Sequence, residues 1–343
     1  MSSDSPYLRN FGETKAEDSP EVDLTLLSYN VLHPINNTYI VPEKLIKYLA
    51  DYEKRYSYHF ESLFPDLAPD VLCLQEVSEA YISMLKNSTF YKKGGYTRTK
   101  ATPSAKYGRS PMILSKYPME CLNSQDEKFV IVRITKETQQ FIVICVHLSG
   151  HEQNIFERAQ EMWFIDRKLK ELNIKSPKDT IFLLGDLNLH YPGESKICDQ
   201  YGFHDLWLER HSHFDGYSWD PQENIMSGWM HPLDNRRMRL DRICLKPSNA
   251  FDLIDIQMVA KERIGGFCLQ SSDHFGLLAT FKQTSKGFTG DQPNAHKQEY
   301  AKLAPDSHGF RSIKNIVAYR VITAVTILLM LLYLIYKVGC FMF

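Results

Sequence analysis

Short apolar runs that end in polar side chains recur along this chain, and they predict buried strands. Runs of four to eight apolar residues are too short for a helix and are typical of strands inside a sheet. Most of the longer runs are followed at once by an amide, carboxylate or imidazole side chain. The predicted strands cover residues 24–30, 69–77, 111–115, 129–132, 141–148, 181–186, 243–245 and 275–281.

Two other segments place apolar residues three or four positions apart, and this spacing predicts helices over residues 42–64 and 152–172. In the first helix, Pro42 suits the first turn and Pro65 is expected to end it. In the second helix, one apolar stripe is expected to face the core. That stripe consists of Ile155, Phe156, Ala159, Met162, Trp163 and Leu169.

The two ends of the chain differ from the centre. Residues 1–22 are polar and aperiodic, which predicts a flexible tail, and residues 284–312 have the composition of a linker. Between them, residues 23–283 are expected to form one domain. Residues 316–336 are apolar except for Arg320, and a helix of this length crosses a hydrocarbon core of about 30 Å.

A single transmembrane helix is therefore predicted at residues 313–338, with a short tail at 339–343. Basic residues precede the core of this span at Lys302, Arg311, Lys314 and Arg320, whereas only Lys337 follows it. Positive charge is retained on the cytosolic side of a membrane span. The domain is thus expected to face the cytosol from a tail anchor, in the endoplasmic reticulum, the nuclear envelope or the mitochondrial outer membrane.

Composition narrows the class of protein. The chain has 343 residues, of which 43% are hydrophobic and 24% charged, as in a globular protein with a large core. Its net charge of −1 excludes an overall basic surface for nucleic acid, so any polyanion site must be local. Seven cysteines without a CxxC pair argue against a zinc site and favour reduced, buried thiols.

Polar side chains at the predicted strand ends are the candidates for chemistry, because strand ends of one sheet line a common rim. They are Asn30, Glu76, His147, Asp186, Asn188, Asp273 and His274. Carboxylates and amides without a cysteine cluster suit Mg²⁺ or Mn²⁺. The structural alternatives are surface or Asx turns for the Asn and Asp residues and a hydrogen-bonded core position for the histidines.

A second candidate surface lies at residues 95–118, where basic and aromatic residues are interleaved. Such a loop can hold a phosphate backbone and stack bases, and Arg109 is the candidate substrate contact in it. A solvated loop is the structural alternative.

Five short motifs, in this order and spacing, resemble the endonuclease/exonuclease/phosphatase superfamily of metal-dependent phosphodiesterases. They are SYN, LQEV, GDLN, RLD and SSDH, and the resemblance covers residues 24–282. It implies an α/β fold, a four-layer sandwich of two mostly antiparallel sheets flanked by helices. It also implies in-line attack of water on a phosphodiester.

The resemblance implies a role for each strand-end residue. Glu76 is the direct metal ligand, and Asn30 helps to place the metal and its waters. Asp186 orients or deprotonates the attacking water, and Asn188 holds the scissile phosphate.

The same resemblance assigns the groups that stabilise charge. His274 stabilises the negative charge on the phosphate oxygens, with Asp273 orienting it. His147 donates to the phosphate, and Asp241 belongs to the polar wall of the site.

Within the superfamily, residues 217–224, 238–243 and 272–278 are most similar to 5′-tyrosyl-DNA phosphodiesterases, DNA-repair enzymes that release a tyrosine left on a 5′ phosphate by a topoisomerase. The implied partner is a nucleic acid 5′ end. Trp219 would pack in a narrow groove that admits a single strand, and Leu240 would line it. Two residues after GDLN that family has an arginine, whereas this chain has His190, the candidate substrate contact there.

Three other functions stay open at this point. A neutral sphingomyelinase-like phospholipid phosphodiesterase, acting on a lipid headgroup, fits the predicted membrane span. A deadenylase or other phosphatase of the superfamily fits the opening SYNVL motif. A non-catalytic scaffold is disfavoured, because acidic residues at the ends of apolar strands are unfavourable to bury without a function.

Overall fold

The computed structural model describes residues 23–34, 50–101, 110–123, 128–211, 216–231, 234–248, 250–265 and 269–284. All of them belong to the first of two compact units, Met1–Thr289. The predicted tail at 1–22, most of the linker, the anchor at 313–338 and the tail at 339–343 lie outside the described residues. Within the ranges given, no helix has the length and apolarity needed to cross a membrane.

In the described residues, fourteen strands form two six-stranded sheets and a small ribbon. The first sheet contains, in spatial order, β11 (Phe251–Val259), β14 (Gly276–Gln283), β1 (Leu24–Asn30), β2 (Val71–Val77), β4 (Ser110–Ser115) and β3 (Thr97–Arg98). The second contains β5 (Met119–Cys121), β6 (Phe129–Lys136), β7 (Gln139–His147), β8 (Thr180–Asp186), β10 (Asp241–Lys246) and β9 (His204–Asp205). The ribbon pairs β12 (Arg263–Gly265) with β13 (Leu269–Gln270).

Two strand pairs, β1 with β2 and β7 with β8, are parallel. The other described pairs are antiparallel. The expectation of two mostly antiparallel sheets is therefore confirmed.

Helices cover the outer faces of both sheets. Against the first sheet pack α1 (Tyr52–Tyr58), a π-helical turn (His59–Leu63), α2 (Phe64–Leu67), α3 (Glu79–Asn87) and α4 (Thr89–Lys93). Against the second sheet pack α5 (Ile155–Glu171) and α6 (Lys196–Gln200). The remaining described helices are α7 (Trp207–Arg210), α8 (Ile225–Met230) and 3₁₀ turns at Glu152–Asn154 and Pro192–Ser195.

The central strands are buried on both faces, which explains why they read as continuous apolar runs. In β1, Leu26 packs between the sheets and Leu27 packs under the helices. In β8, Phe182 packs between the sheets and Leu183 packs against α5 and α6. The layers are therefore helix, sheet, sheet and helix. As predicted, cysteines lie in this core, namely Cys73, Cys145, Cys198 and Cys244.

The first predicted helix differs from expectation at its end. Residues 35–49, with most of its first half, lie outside the described residues. The helix does not end at Pro65, because the chain first makes the π-helical turn, in which the Phe64 N–H bonds to the His59 carbonyl. Pro65 then falls in the first turn of α2, where its missing N–H is not needed. The chain leaves α2 at Ala68, with φ 43°.

The apolar stripe predicted for α5 is partly wrong. Met162 and Leu169 are buried as expected, but Phe156 is 83% exposed and Trp163 is 45% exposed. The buried stripe instead includes Arg158, which is fully buried and donates through Nε to Glu194 at 3.0 Å. A paired arginine thus lies in the core at a position outside the predicted apolar stripe.

Strand direction gathers the polar ends at one edge. The parallel strands β1 and β2 end there, and so do β7 and β8. Strands β10 and β14 run antiparallel to β8 and β1 and therefore begin at the same edge. Side chains from both sheets meet at this edge.

Candidate active site

Asp186 lies at the centre of the site, at the end of β8, and is 2% exposed. The Asn30 amide donates to its Oδ2 at 3.0 Å, and the backbone N–H of Asn188 donates to its Oδ1 at 3.0 Å. Asn30 belongs to the first sheet and Asp186 to the second, so this contact links the two sheets. Both carboxylate oxygens are held in place before any substrate arrives.

The backbone around Asp186 depends on two residues with positive φ. Gly185 has φ 154°, and a Cβ there would lie 2.0 Å from the Val146 carbonyl oxygen, so only glycine fits between β7 and β8. Asn188 has φ 51°, in the left-handed region that asparagine tolerates better than most residues. Its amide donates to the Leu148 carbonyl at 3.1 Å, which fixes the side chain beside Asp186.

Glu76 enters the site from the first sheet through an irregularity in β2. The register with β4 shifts between Leu74 and Val77, and Glu76 has φ 60°. Such a bulge re-aims a side chain. The Glu76 carboxylate accepts a bond from the His33 ring and another from the His33 N–H at 3.3 Å.

His147 lies between the two carboxylates at the sheet edge. Its Nε2 is 3.8 Å from Glu76 Oε1 and 3.6 Å from Asp186 Oδ2. The structure thus brings together four of the predicted residues, Asn30, Glu76, His147 and Asp186. One imidazole faces an acid from each sheet.

His274 also lies close to Asp186. Its Nδ1 is 2.8 Å from Asp241 Oδ2, and its Nε2 is 3.9 Å from Asp186 Oδ2. Burial acts to lower the pKa of His274, but the carboxylates of Asp241 and Asp186 outweigh it and hold the pKa well above its ordinary value. The two carboxylates thus favour the protonated ring, in which one N–H bonds to Asp241 and the other is directed toward Asp186.

The expectation that Asp273 orients His274 is wrong about the partner. Asp241, expected only as part of the polar wall, makes the bond to the ring. Asp241 is placed there because it lies directly opposite Asp186 in the β8–β10 pairing. Asp273 is 5% exposed and lies 3.4 Å from the Ser272 hydroxyl, so adjacency in the sequence did not produce the contact.

Burial raises the pKa of Asp186, and the nearby Asp241 carboxylate adds to the effect. His274, His147 and the Asn30 amide act in the opposite direction. A carboxylate with a raised pKa is a stronger base. This is the property required of a group that takes a proton from water.

Trp219 and Leu240 belong to the same buried cluster. With Met238 they form a small buried cluster, and Trp219 and Leu240 are each 4% exposed. The Ser218 hydroxyl accepts the N–H groups of Leu240 and Asp241 at 3.1 and 3.0 Å. The cluster is therefore joined to the backbone of Asp241, beside His274.

His190 follows the Asp186 strand as expected, and its side chain turns inward. Among the described residues, neither of its buried ring nitrogens has a hydrogen-bond partner. Burial, together with the nearby Arg158 and Arg236, lowers its pKa. His190 is thus a neutral ring, and it does not supply the positive charge of an arginine. Arg109, the other candidate substrate contact, lies outside the described residues.

A model of the Endonuclease/Exonuclease/phosphatase family matches residues 27–274, which is more than half of the chain. The matched region begins in β1 and ends at His274, so it contains every strand end of the site. The chain belongs to this family.

Two relatives in the family carry related names. Tyrosyl-DNA phosphodiesterase 2 of Danio rerio is 25% identical over 225 residues, which cover 62% of this chain and 58% of the relative. A 5′-tyrosyl-DNA phosphodiesterase of Caenorhabditis elegans is 27% identical over 136 residues, which cover 39% of this chain and 36% of the relative. The chain therefore spans less than two thirds of the length of either relative.

Solved structures share the fold. The crystal structure of D. rerio TDP2 complexed with a single-strand DNA product superposes with a TM-score of 0.55 at 20% identity. The superposition covers 76% of this chain and 98% of that one. At 20% identity the similarity shows a shared fold and does not identify a substrate.

The family implies a divalent cation, and the donors at the sheet edge fit one. Buried carboxylates of Glu76, Asp186, Asp241 and Asp273 converge there, and Asp241 Oδ1 is buried without a hydrogen-bond partner in the described part of the chain. Ligand atoms of Asp186, Asp241 and His274 lie within 4.8 Å of one another, but the His274 ring already lies against both carboxylates.

Glu76 is the most exposed of these carboxylates. It is 8% exposed, whereas Asp186 and Asp241 are 2% and 1% exposed. A magnesium ion keeps several of its waters, and the more accessible carboxylate leaves room for them. The Asn30 amide oxygen accepts the Leu32 N–H at 3.0 Å, while the amide nitrogen donates to Asp186 Oδ2.

Three residues that organise this family site were not singled out from the sequence. Ser218 and Ser272 use their hydroxyls to hold the backbone at Asp241 and His274. His33 contacts Glu76 from three residues beyond Asn30. Ser272 was visible as the second serine of the SSDH motif, whereas Ser218 and His33 carried no local signal.

Proposed function

We propose that this protein is a divalent-metal-dependent phosphodiesterase that hydrolyses the 5′ ends of nucleic acids, with 5′-phosphotyrosyl DNA as its substrate class. One observation carries the proposal. Asp186 is held through both oxygens and faces a charged donor, His274, across 3.9 Å. A fixed base opposite a fixed cationic donor is the arrangement that in-line hydrolysis of a phosphodiester requires.

Asp186 is the general base of the proposed reaction. The Asn30 amide and the Asn188 N–H fix its orientation, and its raised pKa strengthens its basicity. It takes one proton from the attacking water as the new P–O bond forms and the P–O bond to the tyrosine oxygen breaks. The phosphate stays on the DNA 5′ end, and tyrosine leaves as a phenolate that takes a proton from solvent. The Asn188 amide, anchored on Leu148, presents its second N–H to the phosphate.

His274 and His147 stabilise the negative charge that develops on the phosphate oxygens. His274 is held by Asp241 in the protonated form, with Nε2 directed inward. Charged donors in a buried site stabilise such charge far more than they do in water. His147 lies on the Glu76 side of Asp186 and donates there.

Glu76, with Asn30, would hold the divalent cation. When bound, Mg²⁺ or Mn²⁺ supplies Lewis-acid polarisation of a phosphate oxygen. The residues of the chain supply the base, the donors and the orientation.

The substrate class is supported by the two relatives, whose names specify tyrosyl-DNA phosphodiesterases. The Trp219 and Leu240 cluster beside Asp241 also supports it, because an apolar wall next to the reacting phosphate suits a base or a sugar. Both side chains are nearly buried, so a substrate could contact them only along their exposed edges.

The test compares three substrates with the full-length chain in detergent and Mg²⁺: a 5′-phosphotyrosyl oligonucleotide, a poly(A) strand and sphingomyelin micelles. We expect rapid release of tyrosine, abolished by EDTA and by Glu76→Gln. The control is Glu120→Gln on β5. Glu120 forms an exposed ion pair with Arg133 of β6, and this variant should retain full activity. Cleavage of sphingomyelin or poly(A) without release of tyrosine would overturn the substrate assignment.

We also propose that residues 313–338 anchor the domain to a membrane from its cytosolic side. The support is the apolar run 316–336 in the sequence. Full-length chain is expected to resist extraction with alkaline carbonate and to be digested by protease added outside intact microsomes. Replacing Leu328 and Leu331 by arginine should release it, because each charge at mid-span costs about 3 kcal/mol. Extraction of the unaltered chain would contradict the anchor.

A further inference from the structure

A fully buried arginine contacts the backbone next to the active site and has no direct part in the proposed chemistry. Arg55, in α1, has an exposed fraction of 0%. Within the described ranges, its guanidinium donates hydrogen bonds to backbone carbonyls and to no carboxylate. A buried guanidinium bonded in this way is a feature that packing alone does not explain.

The first group of these carbonyls follows the catalytic Asn30. Arg55 Nη1 donates to the Val31 and Leu32 carbonyls at 3.0 and 3.1 Å, and Nη2 donates to Leu32 at 3.1 Å. The Tyr56 hydroxyl adds a bond to the Leu32 carbonyl at 2.9 Å. Leu32 has φ 52°, which a leucine adopts only when its surroundings enforce it.

The backbone at Val31 and Leu32 determines how Asn30 and His33 are placed in the site. The Leu32 N–H donates to the Asn30 amide oxygen, and the next residue, His33, contacts Glu76. The orientation of Asn30 toward Asp186 therefore depends on a backbone conformation that Arg55 stabilises.

The second carbonyl precedes the catalytic His274. Arg55 Nη1 lies 3.3 Å from the Ser271 carbonyl, which also accepts from His59 Nε2 at 3.1 Å. The Ser271 hydroxyl bonds to Tyr29 at 2.7 Å. The Ser272 hydroxyl then joins the two halves, since it donates to the Asn30 carbonyl at 2.7 Å and accepts the His274 N–H at 3.2 Å.

We propose that Arg55 is a positioning residue for hydrolysis, because its single guanidinium holds the segment after Asn30 and the segment before Asp273 and His274 in one arrangement. A lysine cannot replace it, since one ammonium does not span carbonyls on both segments. The role rests on the proposed phosphodiesterase function of the site. Loss of Arg55 should lower kcat while substrate binding is retained.

The test uses full-length Arg55→Met and Arg55→Lys with Mg²⁺ and bis(p-nitrophenyl) phosphate, a small phosphodiester. The fraction of folded protein is determined from circular dichroism. We expect kcat per folded molecule to fall about 100-fold in both variants, with KM changed by about threefold or less, because small misplacements of catalytic groups have effects of this size.

The control is Tyr96→Phe, which removes another buried hydroxyl bond to a backbone carbonyl, that of Pro69, away from the site. It should lower the thermal midpoint and leave kcat unchanged. Values of kcat within about threefold of wild type in the folded Arg55 variants would overturn the proposal. If Arg55→Met does not fold, Arg55→Lys decides by the same ratio. Inactivity of the wild type on every phosphodiester would instead overturn the proposed function.

Discussion

Replacing Asp241 by asparagine tests the central assignment, that Asp241 rather than Asp273 supports the catalytic imidazolium. The substitution keeps the shape of the side chain and removes the charge that lies 2.8 Å from His274 Nδ1. A hydrogen bond to a charged group contributes about 1.5 to 3 kcal/mol. Since 1.36 kcal/mol corresponds to a tenfold change in rate, kcat should fall by about 10- to 150-fold.

Asp273→Asn is the matched variant. Asp273 is the same residue type and is also buried, but its recorded bond is to the neutral Ser272 hydroxyl at 3.4 Å. Because this bond is long, its loss should cost about 1 kcal/mol, and kcat should fall about fivefold or less. Both variants should be assayed on the 5′-phosphotyrosyl oligonucleotide, with folding checked by circular dichroism.

The pH profile gives a second measure. In the proposed reaction activity requires protonated His274, so it is present below the raised pKa of that ring and lost as the pH rises through that value. Without the Asp241 carboxylate the alkaline fall should begin at a lower pH. Asp273→Asn should move it in the same direction but less, because Asp273 raises the pKa of His274 less than Asp241 does. Equal losses of kcat in the two variants, or a larger loss in Asp273→Asn, would refute the assignment.

Three further predictions concern the backbone, the core and the metal. Gly185→Ala should lower the free energy of unfolding by about 3 kcal/mol in urea titrations, because its Cβ would lie 2.0 Å from the Val146 carbonyl. Gly193→Ala, with open space around it, should have no such effect, and equal midpoints would contradict the close approach. Burial lowers the pKa of His59 to about 3, so below about pH 6.5 the unfolded chain binds a proton that the folded chain does not, and stability falls by up to about 1.4 kcal/mol per pH unit. His59→Gln should flatten this slope in thermal melts between pH 4 and 7, and an unchanged slope would argue against a neutral His59. Mg²⁺ should raise the thermal midpoint of the wild type but not of Glu76→Gln, because only a site in the folded state gains from binding; an equal rise in both would remove Glu76 as the ligand.

Most of the strand framework was predictable from the sequence, since strands buried on both faces have a simple signature. The predicted strand at residues 24–30 coincides with β1, Leu24–Asn30. The polar residues that follow such runs were correctly predicted to meet at one edge. Their convergence follows from strand direction alone.

The partner of His274 was not predictable in the same way. It depends on the register of β10 against β8, which places Asp241 opposite Asp186. Register between strands far apart in the sequence is determined by the packing of the whole sheet. Adjacency in SSDH favoured Asp273, and no local signal corrected it.

Buried charge was the other source of error. Arg55 and Arg158 are fully buried, yet an arginine in a helical pattern normally indicates a solvent-facing position. Each is accommodated by carbonyls that the tertiary structure supplies from other segments. In α5 the side that faces the core carries Arg158, and the apolar side chains of Phe156 and Trp163 are exposed instead.

The position of β14 has a consequence for biosynthesis. This strand, the last one described, lies between β11 and β1 inside the first sheet, and His274 directly precedes it. A nascent chain on the ribosome exposes β1 first, with one edge unpaired until residue 283 has emerged. Incomplete chains therefore lack a closed first sheet, so the proposed hydrolytic activity requires that translation deliver this strand. Until then one edge of β1 has unpaired backbone N–H and C=O groups.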